Sequence, residues 1–222
     1  MLQGKESCKK LIIFDLDGTL LNTLEDLADA ANYVLAQHGF PTHPIDAYRY
    51  FVGNGMPTLI RRIVPEGHKE GAIYDTCFKE FLDYYTIHMH DKTHVYDGLV
   101  ETLEILQTQG VQLAVATNKV HSALVPLMAN FFPTIRWQAL FGQRNGVPVK
   151  PDPQIVYDIL DATGCDKEDT LYLGDTNVDM ETAHRAGLQA VGVLWGYRPK
   201  SELIESQADF IIETPSELLH LL

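Results

Sequence analysis

The stretch that decides the fold is Leu11-Ile12-Ile13-Phe14, followed directly by Asp15-Leu16-Asp17-Gly18-Thr19-Leu20. The first four residues are apolar and include two β-branched side chains, which predicts a short buried strand. Residues two apart in extended backbone face the same side, so Asp15 and Asp17 can look into one pocket. Two close carboxylates tend to separate in pKa, which suits one as a nucleophile and the other as a proton donor. An acidic turn closed by Gly18, without any chemistry, is the alternative.

Apolar segments of the same kind recur along the chain, with helical patterns between most of them. The predicted strands are Leu11–Phe14, Val111–Ala116, Thr170–Leu173, Leu188–Leu194 and Phe210–Ile212, with a weaker one near Trp137–Phe141. Helical stripes lie between them, and glycines such as Gly110 and Gly164 stand where these helices should end. This alternation predicts an α/β fold, in which crossover helices cover a parallel sheet.

One long stretch interrupts the alternation, because only helical patterns occur between Leu21 and Thr93. A crossover between parallel strands needs about a dozen residues or somewhat more, and this stretch is far longer. We therefore predict a helical domain at residues 21–92, inserted into a core formed by residues 1–20 and 93–222. The insertion leaves the chain just after the first strand, so it should cover the sheet edge where α/β proteins bind ligands.

The helices predicted in the insertion follow apolar stripes. The first carries Leu24, Leu27, Ala31, Val34 and Leu35 on one face, with Asn22 or Thr23 as its N-cap. Two later helices are predicted at Pro57–Ile63 and around Ala72–Met89.

Composition and charge limit the possible partners. The 222 residues are 45% hydrophobic and 21% charged, as in a globular protein with a substantial core. The net charge of −13 repels nucleic acid and anionic membrane surfaces, so neither is an expected partner. A small phosphorylated molecule requires local positive charge or a metal ion. The cysteines, Cys8, Cys77 and Cys165, are odd in number and far apart, which favours a reducing cytoplasm.

Three further loops carry charged and polar side chains at equivalent positions. Gly174-Asp175-Thr176-Asn177-Val178-Asp179 follows a predicted strand, and its two acids can point at one hard cation or can simply cap a helix. Thr117-Asn118-Lys119 ends another predicted strand, and Lys150-Pro151-Asp152-Pro153 precedes a helix. Taken singly, Thr117 can be a helix-entry residue and Lys150 a solvated lysine.

Together these loops resemble the four motifs of the haloacid dehalogenase-like hydrolase superfamily. The motifs occur in order as DLDGTL (15–20), ATNK (116–119), VKPDP (149–153) and GDTNVD (174–179). The resemblance spans nearly the whole chain and includes an all-helical cap after the first motif. It implies a Rossmann-like, doubly wound parallel sheet and a magnesium-dependent phosphotransfer through an aspartyl-phosphate.

The resemblance also implies a role for each motif residue. Asp15 would be the nucleophile, and Asp17 would protonate the leaving group and later activate water. Mg²⁺ would be held by the carboxylates of Asp15 and Asp175 and the backbone carbonyl of Asp17, with Asp179 supporting it directly or through water. The phosphate would be bound by Thr117, Asn118 and Lys150.

Within the superfamily the chain is similar to phosphoglycolate phosphatases, through Val52-Gly53-Asn54-Gly55 followed by Leu59 and Arg62. Phosphoglycolate is therefore the first-choice substrate, with Arg62 from the cap on its carboxylate and Arg61 as the competing candidate. The alternatives are a phosphatase that acts on pyrophosphate, a nucleoside monophosphate or a sugar phosphate, and a phosphomutase. A non-catalytic regulatory protein is the alternative of another class. The chain departs from the family pattern at Asn22 and Asp97, and it is expected to be a monomer or a weak homodimer.

Overall fold

The computed structural model describes residues 10–222, so Cys8 lies outside the described part of the chain. Six parallel strands form the central sheet in the order β5-β4-β1-β6-β7-β8. The strands are β1 (Leu11–Phe14), β4 (Gln112–Val120), β5 (Trp137–Gln143), β6 (Thr170–Gly174), β7 (Gln189–Val193) and β8 (Phe210–Ile212). All six were predicted, and β1 lies in the middle of the sheet between β4 and β6.

Both faces of the sheet are buried, because β1 is apolar at every position. Ile12 and Phe14 pack in one cluster of buried residues, and Leu11 and Ile13 pack in a second cluster. The first cluster contains α5 (Leu99–Thr108) and α6 (His121–Phe131), and the second contains α7 (Gln154–Thr163), α8 (Asn177–Ala186) and α9 (Lys200–Glu205). This arrangement confirms the predicted doubly wound α/β fold. Short 3₁₀ helices lie at Ile45–Ala47, Lys167–Asp169 and Pro215–His220.

Four helices lie between β1 and α5, namely α1 (Leu24–Gln37), α2 (Tyr48–Phe51), α3 (Met56–Ile63) and α4 (Ala72–His88). The sequence predicted three of them, all but the one-turn helix α2. A two-stranded antiparallel ribbon, β2 (Leu21–Asn22) and β3 (His94–Val95), joins this insertion to the core. The ribbon was not predicted, because two-residue strands leave no periodicity to detect. Division of the chain into separate domains at residues 20 and 93 stays a prediction.

Strand β4 differs from its prediction, since it continues beyond Ala116 to Val120. Its pairing with β5 shifts register between Ala116 and Val120. Such an irregularity bends a strand and turns side chains away from the regular ladder. It therefore lies at the three residues, Thr117 to Lys119, that the sequence assigns to a functional loop.

Two observations bear on the other compositional expectations. Cys77 and Cys165 are both free thiols. Within residues 10–222, no helix combines the length and the hydropathy needed to cross a membrane.

The insertion is tied to its exit strand by Asp26, a buried residue on α1. Its carboxylate accepts hydrogen bonds from the backbone N–H of Lys92 (3.0 Å) and Thr93 (2.8 Å) and from the Thr93 hydroxyl (2.7 Å). Hydrogen bonds to a buried charged acceptor are among the stronger ones in proteins. Asp26 therefore fixes α1 against the segment that returns to the core.

We expect Asp26→Ala to lower the free energy of unfolding by about 3 kcal/mol, because three donors lose their acceptor. Urea unfolding measures the change. The matched control is Glu25→Ala, since Glu25 is half-exposed and pairs only loosely with Lys92 (3.7 Å); its effect should stay within about 0.5 kcal/mol. Equal effects of the two substitutions would contradict the role given to Asp26.

Candidate active site

The carboxyl ends of β1, β4 and β6 and the start of α7 bring the predicted site residues together. Asp15 follows β1, Thr117 lies in the distorted end of β4, Lys150 precedes α7, and Asp175 follows β6. All four side chains are buried. In a parallel sheet these strand ends meet at one edge, which is why residues far apart in sequence share one site.

Lys150 is the central cation of this site. Its Nζ lies 2.8 Å from Oδ1 of Asp15, 2.7 Å from Oδ1 of Asp179 and 3.0 Å from the Tyr172 hydroxyl. Burial lowers the pKa of Lys150, but the charges of Asp15 and Asp179 raise it by more than burial lowers it. The pKa of Lys150 therefore stands well above its ordinary value. Lys150 is therefore an ammonium ion in a place from which water is excluded, not a solvated lysine.

Asn118 holds the backbone of Lys150 in place. Its side-chain Oδ1 accepts the Lys150 N–H (2.8 Å), and its Nδ2 donates to the carbonyls of Lys150 (3.1 Å) and Gly53 (3.0 Å). The Asn118 side chain is thus fully used in positioning Lys150 and one loop of the insertion. The role of Asn118 in phosphate binding stays a prediction. Because its side chain is occupied, the group that would bind the phosphate is its backbone N–H.

Three buried acids, Asp15, Asp175 and Asp179, each offer an oxygen within 4.8 Å of the others. Burial raises the pKa of Asp15 to about 7, against the lowering effect of Lys150. Burial, together with the charges of Asp179 and Asp15, raises the pKa of Asp175 well above its ordinary value. The group thus lacks positive charge, since its three acids share one ammonium ion, Lys150, which among them contacts only Asp15 and Asp179. Such a set of hard oxygen donors is what a divalent cation such as Mg²⁺ binds.

Two glycines make room for Asp175. A Cβ atom at Gly18 or at Gly196 would overlap the Asp175 side chain. Gly18 also has a φ of +92°, a conformation that other residues rarely adopt. The Asp175 carboxylate accepts the Tyr197 N–H (2.7 Å), which fixes its orientation. The chain therefore forms a close-fitting recess around this acid, consistent with a metal-binding role.

Asp179 caps a helix, as one of the two sequence interpretations held, and it also lies in the acidic group, while its binding of a cation stays a prediction. Its Oδ2 accepts the backbone N–H (3.1 Å) and the hydroxyl (2.7 Å) of Thr176, which closes a capping box at the start of α8. Its Oδ1 meanwhile binds Lys150. Asp179 is thus a helix cap and a member of the acidic group at once.

Asp17 lines the same cleft as Asp15 but has different partners. It accepts a hydrogen bond from the Thr23 hydroxyl (2.7 Å), and its oxygens lie 2.9 and 3.1 Å from Nζ of Lys119. The sequence analysis quoted Lys119 within a motif but gave it no role. The available signal was a lysine directly after Thr117 and Asn118; its partners could not be inferred from spacing.

Lys119 is almost fully buried, with 1% of its side chain exposed. Its Nζ also donates to the hydroxyl of Tyr85 (2.9 Å), a residue of α4 in the insertion. Burial lowers the pKa of Lys119, but Asp17 and Tyr85 raise it above its ordinary value, so the side chain is charged. The site therefore contains two separate ammonium–carboxylate pairs, one on Asp15 and one on Asp17.

The cleft between the insertion and the sheet encloses about 430 Å³, part of it open to solvent. The core side supplies polar groups and the insertion supplies apolar groups and glycine backbone. The lining residues are Asp15, Asp17, Leu27, Val52, Gly53, Gly55, Met56, Leu59, Thr117, Asn118 and Lys119. Its mixed polar and apolar lining is typical of a site for a small polar ligand.

Core side chains hold the insertion loop that closes this cleft. Arg198, a buried residue after β7, donates to the Val52 carbonyl (3.2 Å) and lies over the Tyr50 ring. In the opposite direction, Arg49 of the insertion donates to the Gly196 carbonyl (3.3 Å). Sequence reasoning did not identify Arg198, because nothing in its local pattern distinguishes it from a solvated arginine.

The two arginines weighed as carboxylate ligands both lie on the exposed side of α3. Arg62 donates to the carbonyls of Tyr50 (3.1 Å) and Phe51 (2.8 Å) and to Oδ1 of Asn54 (2.8 Å). Arg61 lies over the Tyr74 ring. Arg62 thus stabilises the loop that covers the cleft, and its predicted contact with substrate stays a prediction.

Comparisons with known proteins identify the family of this chain. A family model described as haloacid dehalogenase-like hydrolase matches residues 12–193. A phosphoglycolate phosphatase from Haemophilus influenzae is 33% identical over 219 residues, which cover 96% of this chain and 98% of that protein. A phosphoglycolate phosphatase from Pseudomonas syringae pv. tomato is 33% identical over 218 residues, which cover 95% of this chain and 78% of that protein.

A solved structure extends the agreement to the fold. The crystal structure of a predicted phosphoglycolate phosphatase from Haemophilus somnus matches with a TM-score of 0.87 and 29% identity, covering 96% of this chain and 97% of its own. The fold, the acidic cluster and the sequence similarity together define a hydrolase with a doubly wound, Rossmann-like core. The chain belongs to the haloacid dehalogenase-like hydrolase family, and the resemblance seen in its four motifs is confirmed.

The raised pKa of Asp15 predicts how stability depends on pH when divalent cations have been removed by a chelator. The folded carboxyl titrates at about 7 and the unfolded one at about 4, so between these values the folded state binds more protons. The unfolding temperature should therefore fall as pH rises from 5 to 8, by on the order of 5 °C. Added Mg²⁺ should raise it more at pH 8 than at pH 6.

Thermal unfolding of the wild type and of Asp15→Asn, recorded across the same pH range, tests this expectation. Asp15→Asn removes one titrating carboxyl, so its curve against pH should be flatter. Histidines contribute equally to both proteins and cancel in the comparison. Identical pH dependence of the two proteins would show that Asp15 does not titrate as described.

Proposed function

We propose that the protein is a Mg²⁺-dependent phosphatase that hydrolyses a small phosphate monoester, with phosphoglycolate as first-choice substrate. The observation that carries the proposal is the cleft itself, in which Asp15 is paired with a buried lysine and Asp17 lies beside it. The names of the relatives from Haemophilus and Pseudomonas support the choice of substrate. The proposed location is the cytoplasm, and the proposed state is a monomer or a weak homodimer.

Asp15 acts as the nucleophile on phosphorus. The substrate phosphate carries nearly two negative charges and would repel a carboxylate, so positive charge must be present before attack. Lys150 supplies one charge directly at the Asp15 oxygen. The carboxylates of Asp15 and Asp175 and the backbone carbonyl of Asp17, with support from Asp179, would hold Mg²⁺, which would supply the remaining positive charge next to the phosphate. The Thr117 hydroxyl and nearby backbone N–H groups hold the remaining phosphate oxygens.

Asp17 moves the proton in both halves of the reaction. In the first half, the Asp15–phosphorus bond forms and the ester oxygen leaves, and Asp17, which must enter this half in its protonated form, gives that oxygen its proton. In the second half, Asp17 takes a proton from the water that attacks phosphorus, and Asp15 is released with inorganic phosphate. The helical insertion serves as a cap, whose apolar residues keep bulk water from the aspartyl-phosphate.

The direct test is a panel of substrates assayed with and without Mg²⁺. Phosphoglycolate, pyrophosphate, a nucleoside monophosphate and a sugar phosphate cover the candidates, and kcat/KM ranks them. The proposal requires Mg²⁺-dependent release of phosphate and the highest kcat/KM for phosphoglycolate. A different preferred substrate would replace phosphoglycolate, and no phosphate release from any of them would leave a non-catalytic protein as the better interpretation.

Asp15→Asn should reduce kcat by at least about a thousandfold, because the nucleophile is lost. The matched control is Asp161→Asn, since Asp161 lies on α7 and its side chain is exposed; its kcat should be unchanged. Circular dichroism checks that both variants are folded. Activity above a few per cent of the wild type in Asp15→Asn, in a sample free of deamidation, would exclude Asp15 as the nucleophile.

Asp17→Asn should separate the two halves of the reaction. The leaving group of p-nitrophenyl phosphate, p-nitrophenolate, departs without being protonated, so this ester should still phosphorylate the variant. Hydrolysis of the phosphoenzyme should slow at least about a hundredfold, because the base that activates water is lost. Intact-mass spectrometry should then detect one added phosphoryl group per chain. If the variant loses equal activity on esters with good and poor leaving groups and forms no phosphoenzyme, Asp17 has another role.

A further inference from the structure

We infer that Lys119 binds the second anionic group of the substrate, which in phosphoglycolate is the carboxylate. The inference rests on the proposed function and deepens it, because it names the residue that selects an anionic ester over a neutral one. Phosphate recognition in the proposed mechanism uses Lys150 and leaves Lys119 without a task. The sequence analysis gave this task to Arg62.

The lining of the cleft contains a positively charged side chain that could bind an anionic group of the substrate. Among the described residues that line the cleft, Lys119 is the one with a positively charged side chain. Lys150 binds Asp15 and Asp179 and is not part of the lining. Arg62 and Arg198 are not part of it either; Arg62 donates to the Phe51 carbonyl and Arg198 to the Val52 carbonyl, at the segment that covers the cleft.

The second argument is distance along the substrate. In the proposed mechanism Asp17 contacts the ester oxygen that leaves, and Nζ of Lys119 lies 2.9 Å from an oxygen of Asp17. In phosphoglycolate the carboxylate is attached to the same carbon as that ester oxygen. A group one carbon beyond the leaving oxygen is therefore within reach of the ammonium ion that already touches Asp17.

The third argument is the cost of burying the substrate's charge. The insertion contributes Leu27, Val52, Met56 and Leu59 to the cleft, together with two glycines. A carboxylate placed against these residues without a partner would pay a large desolvation penalty. The ammonium ion of Lys119 already lost its contact with water when the protein folded, and the Tyr85 hydroxyl holds it in place. Lys119 therefore offers a preorganised partner.

The experiment compares phosphoglycolate with ethyl phosphate, which has a methyl group in place of the carboxylate. The ratio of their kcat/KM values is measured for the wild type, Lys119→Met and the control Arg62→Met. We expect Lys119→Met to lower the ratio at least tenfold, because only phosphoglycolate uses the ammonium ion. Arg62→Met should keep the ratio within threefold. A ratio retained in Lys119→Met, or lost only in Arg62→Met, overturns the inference.

Lys119 also contacts Asp17, so Lys119→Met is expected to lower kcat for both esters, and the ratio removes that common loss. Where turnover of the variant is too slow, binding replaces it. Calorimetry then compares phosphoglycolate and ethyl phosphate on Asp15→Asn and on the double variant Asp15→Asn with Lys119→Met. The second substitution should weaken phosphoglycolate at least tenfold and ethyl phosphate less than threefold. Equal weakening of both ligands overturns the inference.

Glycolate and inorganic phosphate give a further readout that a merely structural role would not produce. Both are products, and each can be tested as an inhibitor of p-nitrophenyl phosphate hydrolysis. Lys119→Met should raise the inhibition constant of glycolate and leave that of phosphate unchanged. If the wild type itself shows no preference for phosphoglycolate over ethyl phosphate, the proposed substrate fails together with the inference. A preference that survives in Lys119→Met overturns the inference alone.

Discussion

The structure depends on how buried negative charge is balanced at the edge of the sheet. Asp15, Asp175 and Asp179 lie within one small volume, and the ammonium ion of Lys150 touches two of them. Isolated carboxylates could not remain ionised there. The surrounding features serve this balance: Asn118 fixes the Lys150 backbone, Gly18 and Gly196 leave space for Asp175, and Asp179 caps α8 while it binds the lysine. One cation is too few for three acids, and this deficit supports the proposal that the group binds a divalent metal ion.

Asp15 and Asp17 both line the cleft, and each is paired with a different lysine. Lys150 with Asp15 lies where phosphorus would be attacked, and Lys119 with Asp17 lies where the ester oxygen would leave. The first pair belongs entirely to the core. The second also contacts Tyr85 of α4, so it connects the core with the insertion. In the proposed mechanism, attack on phosphorus therefore uses residues of the core alone, whereas recognition of the leaving group also involves the covering helices.

Most of the fold could be predicted from the sequence, because strands and helices leave a local periodic pattern. The four motifs likewise indicated which residues would gather at the strand ends, and the structure brings Asp15, Thr117, Lys150 and Asp175 together there. The contacts that were not predicted depend on residues distant in sequence. Lys119 meets Asp17 across 102 positions, and Arg198 meets Val52 across 146. Arg62 was placed on the correct helix, but its partners are decided by how the loop at 50–54 folds back.

The ribbon of β2 and β3 has a consequence for how such a protein can change over evolution. Leu21 pairs with Val95 and Asn22 pairs with His94, so the chain leaves the core and re-enters it at neighbouring points. The covalent connection between the sheet and the insertion is therefore a narrow stem, and the insertion's length is not constrained by the strand order. A segment attached in this way can be exchanged, lengthened or redesigned without rebuilding the sheet. The core that would carry the phosphoryl chemistry can then be conserved in evolution, while the insertion changes to accept different leaving groups.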